Sequence, residues 1–196
     1  RGYIEEDFNT VWTQALDNLK KARELNDNDF EVHRLMAEVS LAMKDFRAAQ
    51  RHSKTCYEQV PNDPRVLSVY GEVCIRTGKV DEGLDALKLA LDIDPVAQGK
   101  TNSDSRHSAV LFAYYMARNR EGCLEEINNL DEIDFKSWLV TSKICSDEEH
   151  PYESLDWFQE GKKLFSEKDL EKEVTDFRLN NDSATEALIA FARGLF

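Results

Sequence analysis

Four prolines and eight glycines are few for a chain of 196 residues, and no apolar run approaches the roughly 18 residues that cross a membrane. With so few breakers, helices fit better than short strands joined by turns. No membrane is expected among the partners, and the visible start, Arg1-Gly2-Tyr3, carries no signal-peptide pattern. Cysteine is also scarce. Cys56, Cys74, Cys123 and Cys145 lack C-x-x-C spacing and fall where helices want small apolar residues. They read as reduced core thiols and point to a cytoplasmic location. His33, His52, His107 and His150 are scattered, so spacing offers no metal site.

Positive charge is the next deficit. Lys plus Arg number 25 against 38 Asp plus Glu, a formal net charge of −13, and neither Lys20-Lys21 nor Lys162-Lys163 extends into a basic stripe. Nucleic acid is therefore disfavoured as a partner. The acidic surface favours solubility and fits a basic partner slightly better than an acidic one.

Catalytic signatures are thin. Gly78-Lys79 has the look of a phosphate loop, but the preceding glycine is Gly71, and Val80 stands where Ser or Thr is required. Asp104, Ser105 and His107 read as a polar helix start, because no oxyanion hole accompanies them. Asp147-Glu148-Glu149-His150 lacks the glycine and spacing of a calcium loop, and Asn181-Asp182-Ser183 matters as a glycosylation acceptor only in a secreted chain. No catalytic residue, cofactor or metal ligand is assigned, and the chain is read as not an enzyme.

What is present is repetition. Phe30–Asp63 and Pro64–Ala97 align without a gap at an offset of 34 residues, placing Ala37 on Gly71, Ala49 on Gly83, Cys56 on Ala90 and Pro61 on Pro95. In the second copy, Leu67, Tyr70, Gly71, Cys74 and Ile75 draw one buried stripe. Gly78 closes that helix, and Val80, Gly83, Leu84, Leu87, Ala90 and Leu91 face inward on the next. This period and its small residues resemble the tetratricopeptide repeat. The resemblance implies an all-α fold, a right-handed α-solenoid of stacked antiparallel helix pairs, ending in capping helices.

The register extends with less clarity to both sides. Residues 1–29 read as a partial repeat, with Ala15, Leu19, Ala22 and Leu25 inward and Tyr3 near the end of a first helix. The chain is thus expected to be a piece of a longer protein, whose uncovered terminal repeat could form a homodimer contact. Residues 98–103, within VAQGKTNSDS, read as a loop insertion that shifts the register by roughly six residues. Residues 104–134 and 135–166 follow as degenerate repeats. In the first, helices are expected over Ser108–Ala117 and Glu121–Leu130. In the second, Trp138, Leu139 and Ile144 fall on one helix, and Tyr152, Leu155, Trp157, Phe158, Gly161 and Leu164 on another begun near Pro151. Residues 167–196 read as two caps, the last opened by a capping box of Ser183 and Glu186.

Carried over residue by residue, the resemblance implies a partner-binding concave face lined by Arg34, Glu38 and Leu41, then Arg65, Glu72 and Arg76, then Phe112, Tyr115 and Met116. The last three could instead pack beneath the caps. Glu38 and Glu72 occupy the position where chaperone-binding members carry Asn, so that clamp is absent. The order of landmarks, ending in DLEKEVTDFRLNNDSATEALIAFARGLF, also resembles the C-terminal repeat region of bacterial class III adenylate cyclase-like multidomain proteins. That implies a regulatory or oligomerising module for an activity carried elsewhere. The expected function is a scaffold for a protein or peptide; the alternative is a helical-repeat sensor or catalytic domain with a small-molecule pocket.

Overall fold

A computed structural model of the chain describes residues 8–95, 100–130, 134–147, 152–180 and 182–196, with the side chains of 8, 9, 100–105 and 152 excepted. Within these residues there are eleven α-helices and no strand. The first is α1 (Phe8–Leu25). Two pairs follow, α2 (Phe30–Ala42) with α3 (Phe46–Gln59), then α4 (Pro64–Arg76) with α5 (Val80–Ile93). Every boundary of the second pair lies 34 residues beyond its counterpart in the first. The starts are fixed by matched chemistry: Asp29 accepts from the Glu31 N–H at 2.9 Å, and Asp63 from the Arg65 N–H at 2.8 Å. Asp45 caps α3 in the same way, whereas Lys79 opens α5 without a side-chain cap.

Small residues set the spacing inside each pair. A Cβ on Gly71 would lie 2.8 Å from the Gly83 carbonyl oxygen, and one on Gly83 would lie 2.6 Å from that of Gly71. Their counterparts Ala37 and Ala49 are fully buried. The turn within each pair also repeats. Gly78 has φ +86°, and Lys44, its equivalent, adopts φ 60° despite its side chain. Arg118, with φ 56°, does the same 40 residues after Gly78. The third pair thus keeps the turn geometry after an insertion of six.

Part of the segment expected to be a loop is helical. α6 (Lys100–Met116) already includes residues 100–103. Asn, Ser and Asp favour loops and helix starts alike, so composition could not separate the two. α7 (Arg120–Ile127) follows, capped by the Asn119 side chain on the Gly122 N–H at 2.9 Å. Next come α8 (Phe135–Asp147), a 3₁₀ turn at Tyr152–Ser154, and α9 (Asp156–Leu164). Gly161 is required where it stands, because any Cβ would enter the ring of the fully buried Trp138. Leu164 ends α9 with its side chain exposed, whereas Tyr152 and Leu155 precede α9 and lie outside the helix expected to carry them.

Leu25 is another departure, at 90% exposure. Its repeat equivalents, Gln59 and Ile93, also end their helices at the stack's surface. The tail forms α10 (Glu167–Leu179) and α11 (Ser183–Arg193). Asp182, not Ser183, caps α11, accepting from the Thr185 N–H at 2.8 Å. The two adjacent residues are both good caps, and the carboxylate takes the position. At α10 the Ser166 N–H donates to Asp169 at 2.8 Å.

The largest core cluster joins α4 to α11 and contains Leu111, Trp138, Leu139, Phe177 and Leu188, all fully buried. Burying a side chain such as Phe177 contributes about 2 kcal/mol. It holds α10 against the first helices. The fold is an α-solenoid of helix pairs whose tail lies against α4, α6 and α8. Tyr3, His150 and residues 148–149 lie outside the described residues.

Candidate functional site

Successive first helices, α2, α4 and α6, lie side by side, and α10 rises beside them as a wall. Between them runs a groove of 780 Å³. Six of the nine residues proposed from the sequence line it: Arg34, Glu38 and Leu41 from α2, and Arg65, Glu72 and Arg76 from α4. Trp12, Lys44, Arg106, Lys172, Glu173 and Asp176 complete its polar and aromatic character, and the sequence reading missed all six. They come from outside the two clean repeats or from the turn between helices. The period makes α1 the second helix of a partial repeat and says nothing of where α10 docks.

The groove is more cationic than the chain. Arg34, Lys44, Arg65, Arg76, Arg106 and Lys172 face Glu38, Glu72, Glu173 and Asp176, in a protein whose net charge is −13. Each arginine is held in place by carboxylates. Arg34 donates to Glu31 at 2.6 and 3.0 Å and also to Glu38. Arg65 donates to Asp63 at 2.8 and 3.2 Å. Arg76 donates twice to Glu72, at 2.9 and 3.1 Å, and also to Asp176 of α10. Lys44 reaches the Lys172 carbonyl at 2.6 Å and lies 3.7 Å from Asp176.

Burial tunes these groups unequally. The hydrogen bond from Arg34 holds the Glu31 carboxyl below its ordinary range, whereas burial pushes Glu38 up despite the same guanidinium. Burial alone would raise Glu72 too, but the charges of Arg76 and Lys136 bring it down. Burial and the neighbouring Arg76 charge lower the Lys136 ammonium, which sits 4.8 Å above the Phe112 ring and 3.9 Å from Glu173. Lys136, with Ser108, Asp134 and Phe135, lines a second cavity of 290 Å³ that shares Glu72, Arg76 and Glu173 with the groove.

Phe112, Tyr115 and Met116 do not line the groove, although Phe112 borders the second cavity. Phe112 stacks on Phe177 with ring centroids 5.6 Å apart, and Met116 is buried with its sulfur accepting from the Thr185 hydroxyl at 3.1 Å. Tyr115 is half-buried and donates to the Ala184 carbonyl at 3.1 Å. The caps cover all three, since an apolar triplet gains more from α10 and α11 than from water.

Candidate residues for chemistry are distributed elsewhere. Cys56, Cys74 and Cys123 are buried and free, and burial pushes their thiols up to about 11, 11 and 12. They are poor nucleophiles. His107 pairs with Glu126, and no cluster of three metal-ligating side chains exists among the described residues. The fold does join two histidines that spacing left apart: His33 and His52 meet Nδ1 to Nδ1 at 2.9 Å. The repeat register carried that signal, because His107 and Glu126 occupy the equivalent positions after the insertion.

Helix pairs at a 34-residue period, small residues at their closest approach and a groove along the first helices describe one repeat type. Residues 40–101 match the family model of the tetratricopeptide repeat. The match covers the end of α2, all of α3, α4 and α5, and the start of α6. No curated protein matches the chain. Among the described residues, no helix is long and apolar enough to cross a membrane.

Proposed function

We propose that this chain is a protein-interaction scaffold that takes a peptide or partner domain on the face lined by α2, α4 and α6. Tetratricopeptide repeats generally mediate protein–protein interaction, and residues 40–101 are similar to them. The observation that carries the reading to this face is the 780 Å³ groove, which mixes guanidinium, carboxylate and apolar side chains along successive helices. An extended or helical peptide needs that mixture. The likeness of the landmarks to cyclase-linked repeat regions supports a larger signalling protein, with this module regulating or positioning an activity attached to it.

The 290 Å³ cavity favours a second reading, a helical-repeat sensor or catalytic domain for a small molecule, because Lys136, Glu72 and Asp134 line it. Photo-cross-linking separates the two. A benzophenone side chain is placed at Arg65 in the groove or at Glu58 on the outer helix α3, and adducts are collected in cells that express the protein. The scaffold reading expects protein adducts from Arg65 and not from Glu58. Adducts from Glu58 alone, or equally from both, contradict it; adducts from neither favour the cavity.

A further inference from the structure

We infer that the groove's partner is an acidic peptide with an apolar anchor, an inference that rests on the concave reading above. The chain already holds an acidic helix at one end of the groove. Asp176 of α10 lies between Arg76 and Lys44, and Glu173 lies 3.9 Å from Lys136. Phe177 and Leu170, both buried, anchor that helix, so α10 is a fixed wall and not a displaceable lid.

Beyond the wall two further cations, Arg65 and Lys172, keep much of their side chains open to solvent. Arg65 is half exposed, its Nη1 is 3.4 Å from Glu31, and it can turn a donor outward while keeping Asp63. Lys172 is exposed and makes no ion pair among the described residues. Lys44 stands beside it with its ammonium 3.7 Å from Asp176. Trp12, half-buried, and Leu41 supply the apolar floor between these charges. An occupant bearing carboxylates spaced around one apolar side chain satisfies both.

The net charge of −13 does not oppose this locally, because charges more than about 8 Å away are largely screened at physiological ionic strength. Glu38 and Glu72 also line the groove, which disfavours a free terminal carboxylate beside them. The recognised acids are therefore side chains within the peptide, and amidating its C-terminus leaves affinity unchanged.

The probe is a fluorescein-labelled, C-terminally amidated poly-glutamate peptide with a central leucine, compared with its free-acid form and its poly-lysine counterpart by fluorescence anisotropy. The glutamate peptide binds, amidated or not, and raising salt from about 0.05 M to about 0.5 M weakens it. Lys172→Glu alone, and Arg65→Glu with Lys172→Glu, weaken it by roughly tenfold or more, with circular dichroism melts establishing that both variants fold. Glutamate-peptide binding undiminished by either variant overturns this inference and the concave reading together. A lysine peptide that binds instead, and is weakened by Glu38→Gln, overturns the acidic partner and leaves the concave reading standing. Binding by neither peptide overturns the acidic partner, while cross-linking at Arg65 still decides the concave face.

Discussion

His33 on α2 and His52 on α3 share a hydrogen bond between their Nδ1 atoms, 2.9 Å apart, in the interior of the first complete repeat. His33 Nε2 lies 3.0 Å from the Asp27 carbonyl, which can only accept, so that nitrogen carries the hydrogen. Neutral His33 then accepts at Nδ1, and His52 donates. The equivalent positions hold Leu67 and Ala86 in the second repeat, and His107 and Glu126 in the third.

This pairing makes stability fall in mild acid. Burial, then the neighbouring His33, then Arg51 and Arg23 push His52 down to about 4 from its ordinary 6.5, with Asp45 opposing. Between those values the unfolded chain binds a proton that the folded chain refuses, so stability is complete above about 6.5 and is lost progressively as pH falls to about 4. The shift corresponds to a loss on the order of 3 kcal/mol. His33→Leu with His52→Ala installs the second repeat's residues and removes this component. Urea midpoints at neutral pH and near pH 4 should fall less in the variant; equal falls in both proteins would remove the pair from acid sensitivity.

Two glycines in one repeat have different physical roles, and alanine separates them. At Gly83 a Cβ would meet the Gly71 carbonyl oxygen at 2.6 Å and Ile75 Cγ1 at 2.7 Å, so Gly83→Ala forces α4 and α5 apart. The expected cost is about 1–3 kcal/mol, reduced by the better helix propensity of alanine. At Gly78 a Cβ meets nothing within 4 Å, and the cost of alanine is the positive φ alone, about 1 kcal/mol. Gly71→Leu should exceed both, because it adds three more carbons at the same contact. Thermal melts that rank Gly78→Ala as the most damaging would overturn the close-approach account of the pair.

The Arg76 and Asp176 side chains are each less than a fifth exposed, so removing either partner leaves the other less fully compensated, with Arg76 keeping Glu72 and Asp176 keeping Lys44. Asp176→Ala is expected to destabilise by about 2 kcal/mol and to increase hydrogen exchange in α10 more than in α2 or α3. Combining it with Arg76→Ala should cost less than the two single changes added together. Strict additivity would show that α10 is held by its apolar residues alone.

Much of this architecture was legible because two repeats are nearly regular. Asp29 and Asp63, Ala37 and Gly71, and Cys56 and Ala90 state the same geometry twice, and the helices begin and end accordingly. The insertion was legible only as a shift of register: Arg118 repeats the turn of Gly78, yet Lys100–Ser103 looked like loop because polar helix starts share its composition. The groove's α2 and α4 lining was implied by the tetratricopeptide resemblance. Lys172, Glu173 and Asp176 were not, since nothing in a 34-residue period says where a non-repeating helix docks. The same gap left open whether Phe112 and Met116 line an open surface or pack beneath the caps, where Phe177 and Thr185 meet them.

The central claim is that partners meet the face lined by the first helices. Amide hydrogen exchange of the protein with and without the glutamate-leucine peptide tests it most directly, because it reports position without a substitution. The account predicts slowed exchange at the groove-lining turns of α2, α4 and α10, with α3 and α5 unchanged. Protection confined to α3 and α5, or absent from α2 and α4 at saturating peptide, would contradict it.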